Sequence, residues 1–129
     1  MPKVDRQLLK NKDKIVSDIS AFTKKSNILS ENEELKPYET DGLAAYKQTP
    51  MLVVLPENTN EVSKILSYCN KNKIKVVPRG AGTGLAGSAL PLADCILLGL
   101  GKFNKIKEID YDNRCVVAQP GVTNLSITH

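Results

Sequence analysis

The pattern of hydrophobic and polar positions differs between the start of the chain and the segment after residue 50. Between Asp5 and Lys25, apolar residues recur at the spacing of one helix face, and the polar Asn11 interrupts that spacing. Met51–Leu55, in contrast, is a continuous apolar run between two prolines. Such a run is typical of a strand that is covered on both faces. The pattern therefore predicts a broken helix first and a buried strand later.

The segment between residues 26 and 46 has no periodic pattern and contains asparagine, serine, proline and glycine. This composition predicts a long loop. Loops of such length are usually functional or lie against another part of the protein. We therefore predict two regions, an N-terminal helical arm over residues 1–36 and a second region over residues 37–129.

The second region opens with a predicted strand, helix and strand. Asn58 is placed to cap the helix, and Glu61 is placed to reach back to it in a capping box. Lys75–Pro78 predicts the second strand, and a βαβ unit of this kind is expected to be parallel and right-handed. The predicted buried face of the helix consists of Val62, Ile65, Leu66 and Cys69.

Further β-like runs are Cys95–Leu100, Ile106–Asp110 and Cys115–Gln119, and the last two are expected to pair antiparallel across a tight turn. Thr123 or Asn124 is placed to cap a helix that has barely begun where the sequence stops. We therefore expect a truncated piece of a longer protein. The predicted fold class is α+β: an N-terminal helical arm, a parallel βαβ subdomain and the first strands of a mixed sheet.

Composition narrows the class of protein. The 129 residues are 41% hydrophobic and 25% charged, which is ordinary for a globular chain and excludes a disordered or collagen-like one. No apolar run approaches the ~20 residues that cross a bilayer, so we expect no direct membrane insertion. The net charge of +4 is spread thinly, so no nucleic-acid partner is expected. The charged N-terminus has no apolar leader, and a cytoplasmic location is expected.

Cysteine and histidine give no sign of a metal site. The three cysteines, Cys69, Cys95 and Cys115, are widely spaced and form no cluster with His129, the only histidine. We predict three small buried thiols in a reducing compartment.

One segment, Arg79–Ser88, has the composition of a ligand-binding loop. It holds four of the eight glycines, which permit positive φ angles and close approach of the backbone to a ligand. Successive N–H groups in such a loop converge on an anion, and Arg79 adds a planar fork suited to phosphate. Thr83 and Ser88 add hydroxyl donors. The alternative is a tight turn that only needs small residues.

A nicotinamide-binding loop is a further alternative. Gly82, Gly84 and Gly87 match the pattern G-x-G-x-x-G, and Glu108 lies about 20 residues on. That fingerprint requires a helix directly after Gly82, whereas Pro91 interrupts any helix here. No G-K-[ST] follows, which excludes a Walker-type loop.

Residues 37–129 resemble the start of the FAD-binding domain of the vanillyl-alcohol oxidase and p-cresol methylhydroxylase family. Within it they are most similar to the flavin subunit of glycolate oxidase and to D-lactate dehydrogenases. The matching stretches are Tyr38–Gly42, Pro50–Pro56, Glu61-Val62, Val76–Gly87, Ala89–Pro91, Ile109-Asp110 and Gln119–Val122.

The resemblance implies an FAD-binding fragment of a flavin-dependent oxidoreductase acting on a 2-hydroxy acid, either glycolate or D-lactate. Relatives that attach FAD covalently use a histidine where this chain has Thr83, so non-covalent FAD is implied. The implied cofactor-binding residues are Pro78, Arg79, Gly80, Ala81, Gly82, Thr83, Gly84, Gly87, Ser88, Pro120, Gly121 and Val122.

The resemblance places the substrate-binding residues downstream of this sequence, so we predict no catalytic residue and no metal ligand here, and the fragment alone is expected to be inactive. His129 is not expected to act as a base. The implied partners are other subunits of an oxidase complex or a polypeptide that completes the domain. A non-catalytic split or truncated gene product that needs a partner chain remains an alternative.

Overall fold

The computed structural model describes residues 3–128, which fold into a helical segment, a four-stranded sheet and a separate hairpin. Two short 3-10 helices, Lys25–Asn27 and Lys36–Tyr38, lie in the N-terminal third of the chain. The helices and strands are α1 (Arg6–Lys10), α2 (Lys12–Ile19), β1 (Ile28–Leu29), α3 (Asn32–Leu35), β2 (Leu52–Val54), α4 (Thr59–Lys71), β3 (Lys75–Arg79), β4 (Cys95–Gly99), β5 (Ile106–Asp110), β6 (Cys115–Ala118) and α5 (Asn124–Thr128).

The main sheet has the strand order β1-β2-β4-β3. Strand β4 lies between β2 and β3 and is parallel to both, since Leu97 is in register with Val53 on one side and Val77 on the other. The predicted βαβ unit is therefore present, but β2 and β3 are not neighbours. The Cys95–Leu100 run was predicted as the first strand of the separate mixed sheet, but it forms the central strand of the main sheet.

Strands β5 and β6 pair antiparallel, as predicted, with Ile109 opposite Val116 and a register irregularity between Ile106 and Glu108. The turn between them places Arg114 at a φ of 53°. Most residues of both strands are exposed. The start of the second sheet is thus a two-stranded hairpin with little cover on either face.

The arm packs into the main core instead of standing apart from it. Its two short helices meet at Asn11, where the sequence predicted a break. Ile15 and Ile19 of α2 belong to the same hydrophobic cluster as Ile65 and Cys69 of α4. Helix α4 differs from prediction at one position, because Leu66 is 43% exposed and does not belong to the buried face.

The segment predicted as a long loop contains regular structure. Strand β1 adds to the sheet antiparallel to β2, and α3 buries Leu35 against Val53 and Leu97. A two-residue strand and a four-residue helix are too short to produce a recognisable period, which explains why the sequence pattern missed them.

The start of α4 confirms the predicted cap and corrects its details. The Asn58 side chain accepts the backbone N–H of Glu61 at 2.9 Å. The Glu61 carboxylate does not return to Asn58; it accepts the N–H of Glu57 at 2.8 Å and the hydroxyl of Thr23 at 3.0 Å. The second contact ties the arm to α4.

A buried carboxylate ties the start of the arm to the central strand. Asp94, 1% exposed, accepts the Lys75 ammonium at 2.7 Å and the backbone N–H of Asp5 at 2.8 Å. Burial alone would raise the pKa of Asp94, but these hydrogen bonds and the charge of Lys75 outweigh burial, so the pKa lies below its ordinary value.

The cysteines are not all buried. Cys69 and Cys95 are, and burial raises the pKa of each thiol to about 11. Cys115 is exposed on β6, contrary to prediction. Within residues 3–128, no group of three histidine, cysteine, aspartate or glutamate side chains is placed to hold a metal ion. No helix in this described range is long and apolar enough to cross a membrane.

Candidate functional site

The glycine-rich loop begins where β3 ends, at the carboxyl edge of the parallel strands. Ligands of open α/β sheets bind at this edge. From Gly80 to Asp94 the chain forms neither helix nor strand, and the next element is β4. The nicotinamide-binding alternative is therefore wrong, because it requires a helix directly after Gly82.

The backbone of this loop presents unused donors. Within the described chain, no amide group of residues 80–88 donates to a backbone carbonyl. Gly82 and Gly87 have φ angles of 73° and 71°, in a region that residues other than glycine rarely adopt. Unpaired N–H groups next to residues of positive φ form the anion-binding concavity called a nest.

Arg79 lies beneath the loop instead of projecting from it. Its side chain is 7% exposed, and one terminal nitrogen donates to the carbonyl oxygens of Tyr38 at 3.2 Å and Ala89 at 2.7 Å. The Arg79 Nε is buried and has no hydrogen-bond partner in the described chain. Burial lowers the pKa of the guanidinium, and the charge of Asp41 opposes this effect.

A turn before β2 packs against the loop from one side. Asp41 is 7% exposed; its Oδ1 accepts the N–H of Leu43 at 2.8 Å, and its Oδ2 is buried without a partner among the described residues. Asp41 therefore stabilises this turn through its side chain. At Gly42, a Cβ atom would stand 2.6 Å from the carbonyl oxygen of Thr83 and 2.7 Å from that of Gly84.

The second predicted cofactor stretch, Pro120–Val122, meets the loop. A Cβ atom at Gly80 would stand 2.5 Å from the Pro120 carbonyl oxygen. Gly121 is held by its N–H, which donates to the Phe103 carbonyl at 2.8 Å. Two stretches that are 40 residues apart in the sequence are thus adjacent.

Other predicted cofactor-binding residues lie near the contact between the glycine loop and Pro120–Val122. Pro78 lies in β3 opposite Leu98 of the central strand. Gly84 is open, because a Cβ atom there would find no atom within 4 Å. Exposed residues of the loop include Gly80, Ala81, Thr83, Gly84 and Ser88. His129 lies outside the described residues.

A cavity of about 480 Å³ opens between the loop, the turn and the end of the central strand. Its lining includes the predicted residues Gly80 and Gly82. It also includes Gly99 and Gly101, at and just after the end of β4, which the sequence analysis did not assign to the site. Their signal was available in the sequence, because glycines at a strand end often mark a close approach of a ligand or of another part of the chain. The cavity also includes Tyr38, Thr40, Asp41 and Arg79 in its lining.

The fold and the site together define a dinucleotide-binding α/β domain of the kind found in flavoenzymes. Residues 50–129 match the family described as FAD binding domain, and the chain belongs to this family.

Relatives and solved structures agree with this assignment. The chain is 48% identical over 101 residues to the glycolate oxidase subunit GlcD of Escherichia coli strain K12, which covers 78% of this chain and 20% of that protein. It is 36% identical over 107 residues to the mitochondrial D-2-hydroxyglutarate dehydrogenase of Arabidopsis thaliana, covering 81% of this chain and 19% of that protein. The sequence thus spans about one fifth of the length of these curated relatives.

The fold is similar to the crystal structure of p-cresol methylhydroxylase with substrate bound, with a TM-score of 0.79 and 27% identity, over 97% of this chain and 24% of that one. The 4-ethylphenol oxidase of Gulosibacter chungangensis gives the same TM-score at 23% identity, over 96% of this chain and 24% of that one. The predicted resemblance and fold class are confirmed: a mixed α/β structure with parallel strands that covers part of an FAD-binding fold.

The residues present fit the diphosphate of FAD. Unpaired amides and positive-φ glycines suit an anion, and the buried, unpartnered Nε of Arg79 places a positive charge below them. The open position at Gly84 leaves space for close approach.

Proposed function

We propose that this chain holds FAD non-covalently by binding its diphosphate on the backbone amides of residues 80–84. The observation that carries the proposal is the row of amide groups in residues 80–88 that donate to no backbone carbonyl. Most residues of this loop are exposed, so their N–H groups are open to an anionic acceptor at the end of β3.

Each predicted residue has a distinct role in this proposal. The backbones of Gly80, Ala81, Gly82, Thr83 and Gly84 surround the diphosphate, and Arg79 supplies charge from below. Gly87 and Ser88 continue the contact, and the Thr83 and Ser88 hydroxyls donate to phosphate oxygens. Pro120, Gly121 and Val122 form the second wall, and Pro78 fixes the end of β3.

For the whole protein we infer a flavin-dependent oxidoreductase acting on a 2-hydroxy acid, glycolate or D-lactate. The support is the 48% identity to a glycolate oxidase subunit and 37% identity to a putative D-lactate dehydrogenase of Schizosaccharomyces pombe. When bound, FAD supplies the two-electron chemistry, and the share of the present residues is to bind and orient it. We place the protein in the cytoplasm, as a subunit of an oxidase complex.

The test is calorimetric titration of the 129-residue chain with FAD, ADP and riboflavin. Because the proposed contacts are made to the diphosphate, FAD and ADP are expected to bind saturably and riboflavin, which has no phosphate, much more weakly. Arg79→Ala should weaken FAD binding at least tenfold, while the exposed Arg6→Ala should not change it. Equal binding of riboflavin and FAD, or no effect of Arg79→Ala, would contradict the proposal.

A second proposal, that the chain associates with a further part of the FAD-binding domain, rests on the exposed hairpin. Ile109 of β5 and Val117 of β6 are 46% and 47% exposed, and Tyr111 in the turn between them is 83% exposed. The hairpin thus presents large side chains with little cover from the described residues. We infer that a further part of the FAD-binding domain, on a separate or continuing polypeptide, covers this hairpin. Sedimentation of the chain alone should then show self-association that Ile109→Lys reduces. A cooperatively melting monomer at all concentrations would contradict this inference.

A further inference from the structure

We propose that Arg79 and the turn Tyr38–Gly42 form a brace, a pair of positioning elements that hold the glycine loop in its anion-binding conformation before any ligand arrives. This inference rests on the proposed function and deepens it. It assigns a role to Tyr38, Asp41 and Gly42, none of which is among the predicted cofactor-binding residues.

The first part of the brace is the pair of hydrogen bonds from Arg79. One nitrogen donates to the Tyr38 carbonyl, 41 residues earlier, and to the Ala89 carbonyl, 10 residues later. Ala89 lies just past the last residue of the loop. The guanidinium therefore fastens both the turn and the far end of the loop to the end of β3. A lysine at this position would keep the charge, but its side chain is shorter and would not place a nitrogen where the terminal nitrogen of Arg79 reaches both carbonyl oxygens.

The second part is the close packing of Gly42 on the loop. The carbonyl oxygens of Thr83 and Gly84 both face the Cα of Gly42, at distances that leave no room for a methyl group. In a trans peptide the C=O and N–H groups point in opposite directions. Gly42 therefore directs the N–H groups of Gly84 and Leu85 away from the turn, where they remain free for a ligand.

Asp41 links the two parts. Its Oδ1 fixes the turn through the Leu43 N–H, while its Oδ2 is buried and unpartnered, as is Arg79 Nε. No ion pair within 4 Å joins these two described side chains, although the Asp41 charge acts on the guanidinium. The buried carboxylate thus offsets part of the cost of burying the Arg79 charge beneath the loop.

The brace is tested first without ligand, by ¹⁵N relaxation of the amides of residues 80–88. The wild-type loop is expected to be ordered, with order parameters of about 0.85, and to become mobile, below about 0.6, in Gly42→Ala and in Arg79→Lys. Arg6→Lys, an exposed arginine of α1, is the matched control and should leave the loop ordered. An equally ordered loop in both test variants would overturn the brace, whether or not the chain binds FAD.

The second measurement separates loop positioning from general damage. In titrations with ADP and adenosine, Gly42→Ala and Arg79→Lys should weaken ADP binding about tenfold or more and leave adenosine binding unchanged, because only ADP uses the loop amides. Equal loss for both ligands would overturn the positioning role. Failure of wild-type chain to bind FAD or ADP would contradict the proposed function, while the relaxation result would still decide the brace. If Gly42→Ala does not fold, Arg79→Lys decides both measurements.

Discussion

Gly80 lies directly against Pro120: a methyl group at Gly80 would stand 2.5 Å from the Pro120 carbonyl oxygen. This contact joins the loop after β3 to the segment after β6, so it couples the main sheet to the hairpin at the proposed FAD site. Only glycine allows the two backbones to approach this closely.

Gly80→Ala is therefore expected to separate the two segments and to lower the free energy of unfolding by about 1–3 kcal/mol. Urea denaturation of the variant and the wild type measures the difference. The matched control is Gly84→Ala, since a Cβ atom at Gly84 meets nothing within 4 Å and its φ is not positive. If both variants lost equal stability, the contact with Pro120 would not be the cause.

Gly84→Ala has a second expected result, on ligand binding. The new methyl group should leave stability unchanged or raise it slightly, because alanine restricts the unfolded chain. It should nevertheless weaken FAD binding, since we propose that the diphosphate approaches the backbone at this position. Calorimetric titration of the folded variant measures this effect, and wild-type affinity would show that the ligand does not approach Gly84.

Lys75→Ala should destabilise the fold by leaving the buried Asp94 carboxylate without its ammonium partner. The expected loss at neutral pH is about 1–3 kcal/mol, because Lys75 is partly exposed and water replaces some of the lost interaction. Lys64→Ala, on the exposed face of α4, is the control and should have little effect.

The pH dependence of the same pair has a definite sign. The pKa of Asp94 is lowered in the folded protein, so its contribution to stability is present above the ordinary aspartate value of 3.8 and is lost as the pH falls through the folded pKa. The stability difference between the wild type and Lys75→Ala should thus shrink in acid. Urea denaturation between pH 7 and pH 3 measures it, and a constant difference would contradict the assignment.

Thiol labelling at pH 8 should modify one cysteine rapidly and two slowly. Cys115 is exposed, whereas Cys69 and Cys95 are buried with thiol pKa values near 11, which leaves little thiolate. In denaturant all three should react at one rate. Cys115→Ser should abolish the rapid phase, and two rapid cysteines in the folded chain would contradict the structure.

Asn58→Ala removes the cap of α4 and is expected to cost about 1 kcal/mol. Asn60→Ala, two residues later on the exposed start of the same helix, provides the matched control. Thermal melts of the two variants measure the effect, and equal melting temperatures would show that the cap contributes nothing.

The sequence predicted the parts of the fold whose signals are local. The cap at Asn58, the break at Asn11 and the hairpin of β5 and β6 depend on residues a few positions apart, and each is present. It did not predict that β4 inserts between β2 and β3, because strand order depends on long-range packing that no local period records.

The candidate site was predictable in composition but not in orientation. The glycine pattern located the loop, and the resemblance pointed to Pro120–Val122. The pattern gave no indication that Arg79 is buried and bonded to Tyr38 and Ala89, because a planar fork suits a carbonyl oxygen as well as a phosphate. The pattern also gave no indication of the contact between Gly42 and Thr83, because it joins positions about 40 residues apart.

The most direct test of diphosphate binding by the glycine loop is hydrogen exchange of the 129-residue chain with and without FAD. Without FAD, the amides of residues 80–88 should exchange fast, because they donate to no backbone carbonyl in the described chain. With saturating FAD, exchange is expected to slow within residues 80–84. FAD binding that leaves these amides unprotected, or that protects only the hairpin, would contradict the claim that this loop holds the diphosphate.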